Sequence, residues 1–189
     1  MTSRILAIVT AAALSIVSMA APGSAESAST TRSRSAGSGG DQVVLVMTGV
    51  IGPGSYRQFR RAVARSKPDL IVLEGPGGIL GEAIRIGDEI RRRGLTTLVD
   101  SNGFCASACA VVFLSGRTKY MGRGAHVGLH AASYLDGRAD AEATIVMATY
   151  LERVGVPHNI LRRMAATAPD DISWLTRAEQ RALSIRAIK

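Results

Sequence analysis

Aromatic side chains are scarce in this chain, with three Phe, one Trp and four Tyr in 189 residues. A core must therefore be built from Val, Ile, Leu and Ala. Phe59, Phe104, Phe113 and Trp174 are too few and too scattered to form a stacking platform for single-stranded nucleic acid. Cysteine is limited to two residues, which excludes both a disulfide framework and a four-cysteine zinc site. Charged residues make up 20% and hydrophobic residues 47%, a balance that buries a core and excludes wholesale disorder. The net charge of +8 is spread over dispersed arginines, the longest run being Arg91-Arg92-Arg93. This reads as a basic solvated surface rather than a nucleic-acid interface, and no nucleic-acid partner is expected.

The first 25 residues have the order of an export signal. Arg4 is followed by the uncharged apolar stretch Ile5–Ala21, then by Pro22-Gly23-Ser24-Ala25 with small residues at the −3 and −1 positions. Cleavage is expected before Glu26, giving a periplasmic or secreted protein. The alternative is an anchor formed by residues 5–21, at the lower limit of a membrane span. Residues 26–41 are rich in Ser, Thr and Gly, which is linker composition. The folded domain is expected over 42–189.

Gln42–Thr48 and Asp69–Glu74 are continuous apolar runs bounded by Gly and Pro, as expected of strands buried on both faces. Tyr56–Ser66 reads as a basic helix. Ile79, Ala83, Ile86 and Ile90 recur at helical spacing, Arg91–Arg93 oppose the helix dipole, and Gly94 stops the helix. Leu95–Val99, Tyr120-Met121 and Ala125–Leu129 read as strands, and Ala139–Val154 as a helix. A short helix is expected after Pro157 and a last one opening at Trp174-Leu175-Thr176. Cys105–Ser115 is apolar on every side, and periodicity leaves strand and helix equally open. Strands alternating with helices define an α/β chain with a largely parallel sheet.

Four features carry the elements of serine catalysis: a nucleophile, a base, an acid and amide donors for an oxyanion. They are Gly75-Pro76-Gly77-Gly78, Ser107, His130 at a strand end, and Asp170-Asp171. Singly, each has a plainer explanation. Ser107 fits a packing role, His130 a structural one, the Gly-Pro-Gly-Gly stretch a turn, and the Asp pair after Pro169 a helix cap. The Gly-x-Ser-x-Gly elbow motif is absent.

In this order, however, the segments resemble the Clp protease proteolytic-subunit family of the ClpP/crotonase superfamily, over Val43 to Ile185. Glu74-Gly75-Pro76-Gly77-Gly78 lies where the family commonly has Ser-Pro-Gly-Gly, and Ala106-Ser107-Ala108 at its nucleophile segment. Val127-Gly128-Leu129-His130 matches its histidine strand, and Trp174-Leu175-Thr176 with Glu179 its late Phe-Leu-Ser-x-x-Glu element. The resemblance implies a ClpP/crotonase-like fold of repeated ββα units, and makes Cys105–Ser115 a buried helix. It implies Ser107 as nucleophile, His130 as general base, and the backbone N–H groups of Gly78 and Ala108 as the oxyanion hole. Asp171 is the nearer acid and Asp170 the runner-up, Asp171 lying one position off register when Trp174 is aligned. His126 and His158 match no family role. Among signal-peptide-degrading relatives a lysine serves as base, for which Lys67, Lys119 and Lys189 are the candidates; His130 fits better.

The segment from His130 to Trp174 is shorter than the family's, so self-association is an expectation but stacked rings are not. An exported chain meets no ATP and no unfoldase. The expectation is thus an ATP-independent serine peptidase acting on peptides or unfolded polypeptide, with no metal and no cofactor. The competing expectation is an inactive relative that binds peptides or a protein partner. Cys105 and Cys109 form no zinc motif. On a helix their i, i+4 spacing places them on one face, which permits a disulfide across the nucleophile turn; two buried small apolar residues are the alternative.

Overall fold

The computed structural model describes residues 29–33, 42–134 and 136–188. The strand β1 (Ser29–Ser33) lies antiparallel on β2 (Gln42–Ile51), Ser29 opposite Val46 and Ser33 opposite Gln42. This corrects the reading of residues 26–41 as linker throughout. Thr30 and Thr31 are β-branched, and five backbone pairings with β2 supply what composition did not foretell. The expected export signal and cleavage site lie outside the described residues, and no described helix is long and apolar enough to cross a membrane.

From β2 the chain passes through α1 (Ser55–Ser66), which buries Phe59, Ala62 and Val63 at i, i+3, i+4 spacing. It returns as β3 (Leu70–Gly78), parallel to β2, then α2 (Leu80–Arg93) and β4 (Thr96–Val99). α2 buries Ala83, Ile86 and Ile90 and ends at Gly94 in the left-handed region, as its sequence predicts. Ile79 departs from that apolar face: it caps the helix and remains 41% exposed.

The next segment is β5 (Phe104–Ala106), a turn at Ser107, and α3 (Ala108–Leu114), whose seven residues are all buried. The sequence left strand and helix open here, and the family resemblance favoured helix throughout. The structure uses both, with Cys105 in the strand and Cys109 in the helix. β6 (Thr118–Met121), β7 (His126–Leu129), α4 (Ala141–Arg153) and α5 (His158–Ala166) follow. Asp140 caps α4 by accepting from the Ala143 amide. Last come β8 (Ser173–Trp174), α6 (Arg177–Ala182) and β9 (Ile185–Ala187). Trp174 is therefore strand, and α6 opens on a Thr176–Glu179 capping box.

β3 belongs to two ladders. Its first half, Leu70–Val72, pairs with β4, which continues in parallel to β6 and β9. Its second half leaves β4, and Gly75 pairs with Cys105 of β5, which continues in parallel to β7; β8 closes that edge antiparallel. α3 fills the interior near the division, consistent with a helix apolar all round. The Gly-Pro-Gly-Gly stretch is thus not the turn that its composition suggests but the end of a central strand. Pro76 falls where the register between β2 and β3 shifts, a position that tolerates a missing N–H.

Candidate active site

Ser107 joins β5 to α3 at φ 55° and ψ −126°, a conformation rare for a residue with a side chain. Such residues cost of order 1–3 kcal/mol and persist only where their surroundings over-determine them. Here the surroundings do. The Ser107 amide donates to the Gly128 carbonyl at 2.9 Å, and Cys105 is paired on both sides, with Gly75 and with Val127. Cys105 and Cys109 are joined as a disulfide that spans the turn. This strand–serine–helix arrangement has the shape of a nucleophile elbow, with alanines at the flanking positions. The Ser107 hydroxyl makes no capping bond to α3 and faces a groove.

Gly77 and Gly78 explain why β3 ends as it does. A Cβ on Gly77, at φ 104°, would lie 2.7 Å from the Ala106 carbonyl oxygen, the Ala108 amide nitrogen and the Ser107 Cβ. Only a bare backbone lets β3 approach the elbow this closely. At Gly78, φ 136°, a Cβ would collide with the Ile51 carbonyl oxygen. Next to it the Ile79 amide donates to that same Ile51 carbonyl at 2.8 Å. Successive amides of an extended strand point to opposite sides, so the Gly78 N–H faces away from β2. Gly78, Ser107, Ala108 and His130 all line one groove of about 890 Å³. The Ala108 N–H belongs to the first turn of α3, whose amides have no intrahelical acceptor. Two backbone donors therefore flank the serine, the arrangement an oxyanion needs.

His130 follows the end of β7 and is half-buried. Its Nδ1 lies 2.7 Å from the Ala131 carbonyl oxygen. A carbonyl only accepts, so Nδ1 is the donor, and in the neutral ring Nε2 then has the lone pair that a general base requires. The carbonyl thus sets the tautomer, the orienting half of what a triad carboxylate does, without its negative charge.

The structure does not bring Asp171 to this ring. Asp171 is exposed, and its carboxylate accepts from the Ile172 amide at 2.7 Å. Asp170 is exposed as well, and among the described residues no carboxylate hydrogen-bonds His130. The physical reason is local. Asp171 N–H donates to the Ala168 carbonyl in a tight turn after Pro169, and the Asp side chain closes on the next amide. That is turn chemistry: no helix follows the Asp pair, which is followed by β8, so the helix cap of its plainer explanation does not form either. The orienting carbonyl of Ala131 left no mark in the sequence, since every residue has a carbonyl. That peptide is held by its own N–H, the Ala132 amide, which donates to the Thr144 hydroxyl at 2.9 Å, while the preceding Ala131 amide donates to the Thr167 carbonyl at 2.9 Å.

No lysine lines this groove among the described residues. Lys67 caps α1 from the surface. Lys119 sits on β6 beside Arg91 and Arg117, where burial and then the Arg91 charge hold its pKa below the usual range. His126 packs edge-on against Trp174 at 5.7 Å, and His158 is exposed at the start of α5. The remainder of the groove is mostly apolar, including Val50, Ile79, Leu80, Tyr134 and Met147. Among the described residues no three His, Cys, Asp or Glu side chains gather as metal ligands.

No protein-family model and no curated protein sequence matches the chain. Solved structures do. A mutant of the 1510-N membrane-bound stomatin-specific protease superposes with TM-score 0.56 at 18% identity, covering 76% of this chain and 77% of that one. A second mutant of that protease, in complex with a substrate peptide, gives TM-score 0.59 at 19% identity over 76% and 73% of the two chains. ClpP1 from Listeria monocytogenes gives 0.56 at 17% identity over 77% and 92%. The chain has a ClpP/crotonase-like fold, the fold that the order of its motifs implied.

Proposed function

We propose that this chain is an exported serine peptidase that cleaves peptide bonds through an acyl-enzyme on Ser107, without ATP. The observation that carries the reading is the Ser107 elbow, held in a left-handed conformation at a groove shared with His130, Gly78 and Ala108. Nε2 of His130 takes the serine proton as Oγ attacks the scissile carbonyl. The Gly78 and Ala108 amides receive the oxyanion, and the imidazolium returns the proton to the leaving amine. Water then repeats the cycle on the ester. The apolar groove suits peptides or unfolded polypeptide with apolar side chains. Export is supported by the disulfide, since such bonds persist in oxidising compartments. Outside the cytoplasm neither ATP nor an unfoldase partner is at hand. Association with a second copy fits the exposed Ile145 and Val146 on α4, which are 66% and 49% accessible.

The test is a fluorophosphonate probe on the full chain beside Ser107→Ala and His130→Ala, with intact mass locating the adduct. Labelling of Ser107 that depends on His130 supports the reading. A folded chain that never labels would make this a peptide-binding relative without activity. That second reading is favoured by the absence of a carboxylate at His130 among the described residues, since a carbonyl stabilises an imidazolium less well than an anion does.

A further inference from the structure

We infer that Cys105 and Cys109 are positioning residues for Ser107: their disulfide holds the nucleophile turn, and the chain turns over substrate only while that bond is closed. This rests on the serine-peptidase reading above. The cysteines stand two residues before and two after Ser107, and each belongs to a different element, Cys105 to β5 and Cys109 to α3. The bond therefore ties the end of a strand to the start of a helix directly across Ser107 and its strained conformation.

The backbone alone supplies little at that point. β5 is three residues long, and its ladder to β7 ends with Ala106 opposite Gly128. The first bond inside α3 runs from the Val111 amide to the Ser107 carbonyl at 3.3 Å. Between these two, one hydrogen bond holds the turn, from the Ser107 amide to Gly128. Gly77 blocks one direction of movement but makes no bond to the serine. Once the disulfide is open, φ of Ser107 is free to leave its costly value, carrying Oγ and the Ala108 N–H away from the Gly78 N–H. The fold has no need of the bond to the same degree. Cys105 and Cys109 are 0% and 4% exposed, packed in the core as small apolar side chains would be. Loss of the bond thus acts on rate before it acts on structure.

The chemistry is a two-electron exchange. The two thiols lose two protons and two electrons to a disulfide-bearing oxidant of the compartment, which leaves as a dithiol while the Cys105–Cys109 bond forms. A newly made chain would be latent until that exchange.

The experiment compares the oxidised full chain, the same chain reduced by a phosphine, and the Cys105→Ala/Cys109→Ala variant. Three readouts are taken well below the melting temperature: circular dichroism, the fluorophosphonate labelling rate at Ser107, and kcat and KM for a fluorogenic apolar peptide. The expected result is an unchanged spectrum and KM with kcat and labelling lower by about 100-fold, the cost of a misplacement near 1 Å. Re-oxidation of the wild-type chain should restore the rate, while the variant stays slow. Oxidised and reduced chains of verified mass that label equally fast would overturn the inference and leave the peptidase reading intact. A folded oxidised chain that does not label at all would remove both. Should the variant fail to fold, recovery of rate on re-oxidising wild-type protein, at constant dichroism, decides the matter alone.

Discussion

Gly77→Ala is the substitution that most directly examines how the elbow is held. The added methyl would meet three atoms at once, the Ala106 carbonyl oxygen, the Ala108 nitrogen and the Ser107 Cβ, each at 2.7 Å. Comfortable carbon contacts begin near ~3.5 Å, so the overlap is about 0.8 Å. None of the three is the end of a flexible side chain. Two are backbone and the third is the root of the Ser107 side chain, so relief requires β3 and the elbow to separate. Alanine at φ 104° adds strain of its own. Overpacking of this kind costs about 1–3 kcal/mol and left-handed strain about 1–2 kcal/mol, together near 3 kcal/mol. For a folded part of this size that is a fall in Tm of roughly 6–12 °C. Activity should suffer more than stability, because the displacement is applied at the serine itself. A shift approaching 1 Å predicts a fluorophosphonate labelling rate about 100-fold lower in a chain that is still folded at 25 °C. Labelling at the wild-type rate with Tm unchanged would refute the argument, since the close approach of β3 would then not be what positions Ser107.

Further outcomes follow from the same geometry. His130→Ala should lower the labelling rate by about 10²–10⁴-fold, whereas Asp171→Asn should leave it within a few-fold, because the Ala131 carbonyl already sets the tautomer. An equal collapse in both variants would mean that a carboxylate reaches the ring during turnover. Opening the Cys105–Cys109 bond releases a closed loop of five residues and should cost about 2 kcal/mol by the chain-entropy relation, readable as a urea midpoint shift at constant slope. Glu179 is pushed up by burial, but bonds from the Thr176 amide and hydroxyl and from Arg163 outweigh this and hold its carboxyl below the usual range. The unfolded chain therefore binds the proton more readily. The contribution of Glu179 is complete above a pH of about 4.3 and is lost as pH falls through the lower folded value. Urea titrations across that acid range should show a shallower loss in Glu179→Gln than in wild type.

The fold was legible wherever the determining forces act locally. β2 and β3 announce themselves as apolar runs, and α2 by its spacing and by Gly94. Composition alone also told that the core would be aliphatic, and the buried Leu, Ile, Val and Ala side chains around Phe59 and Phe113 agree. Failures fall where a short element depends on its pairing partner rather than on its own pattern. β1 and β9 are short, and each exists because an edge of the sheet accepts it, β1 on β2 and β9 on β6. Cys105–Ser115 was ambiguous for a different reason: a wholly buried segment has no polar face from which a period can be read.

At the site the division is sharper. Residue types supplied the ingredients, and it was the family resemblance carried by their order that nominated Ser107, His130 and the amides of Gly78 and Ala108. Sequence could also place two cysteines symmetrically about the serine, though not say that their sulfur atoms meet. What only tertiary structure decided are the relations between backbone atoms. These are the left-handed turn at Ser107, the approach of Gly77 to it, the direction of the Gly78 N–H, and the Ala131 carbonyl on Nδ1. Backbone atoms are the same in every residue, so their placement is written by strand register and crossing. Those are set by the packing of β3 between two ladders, which no local stretch of the chain encodes.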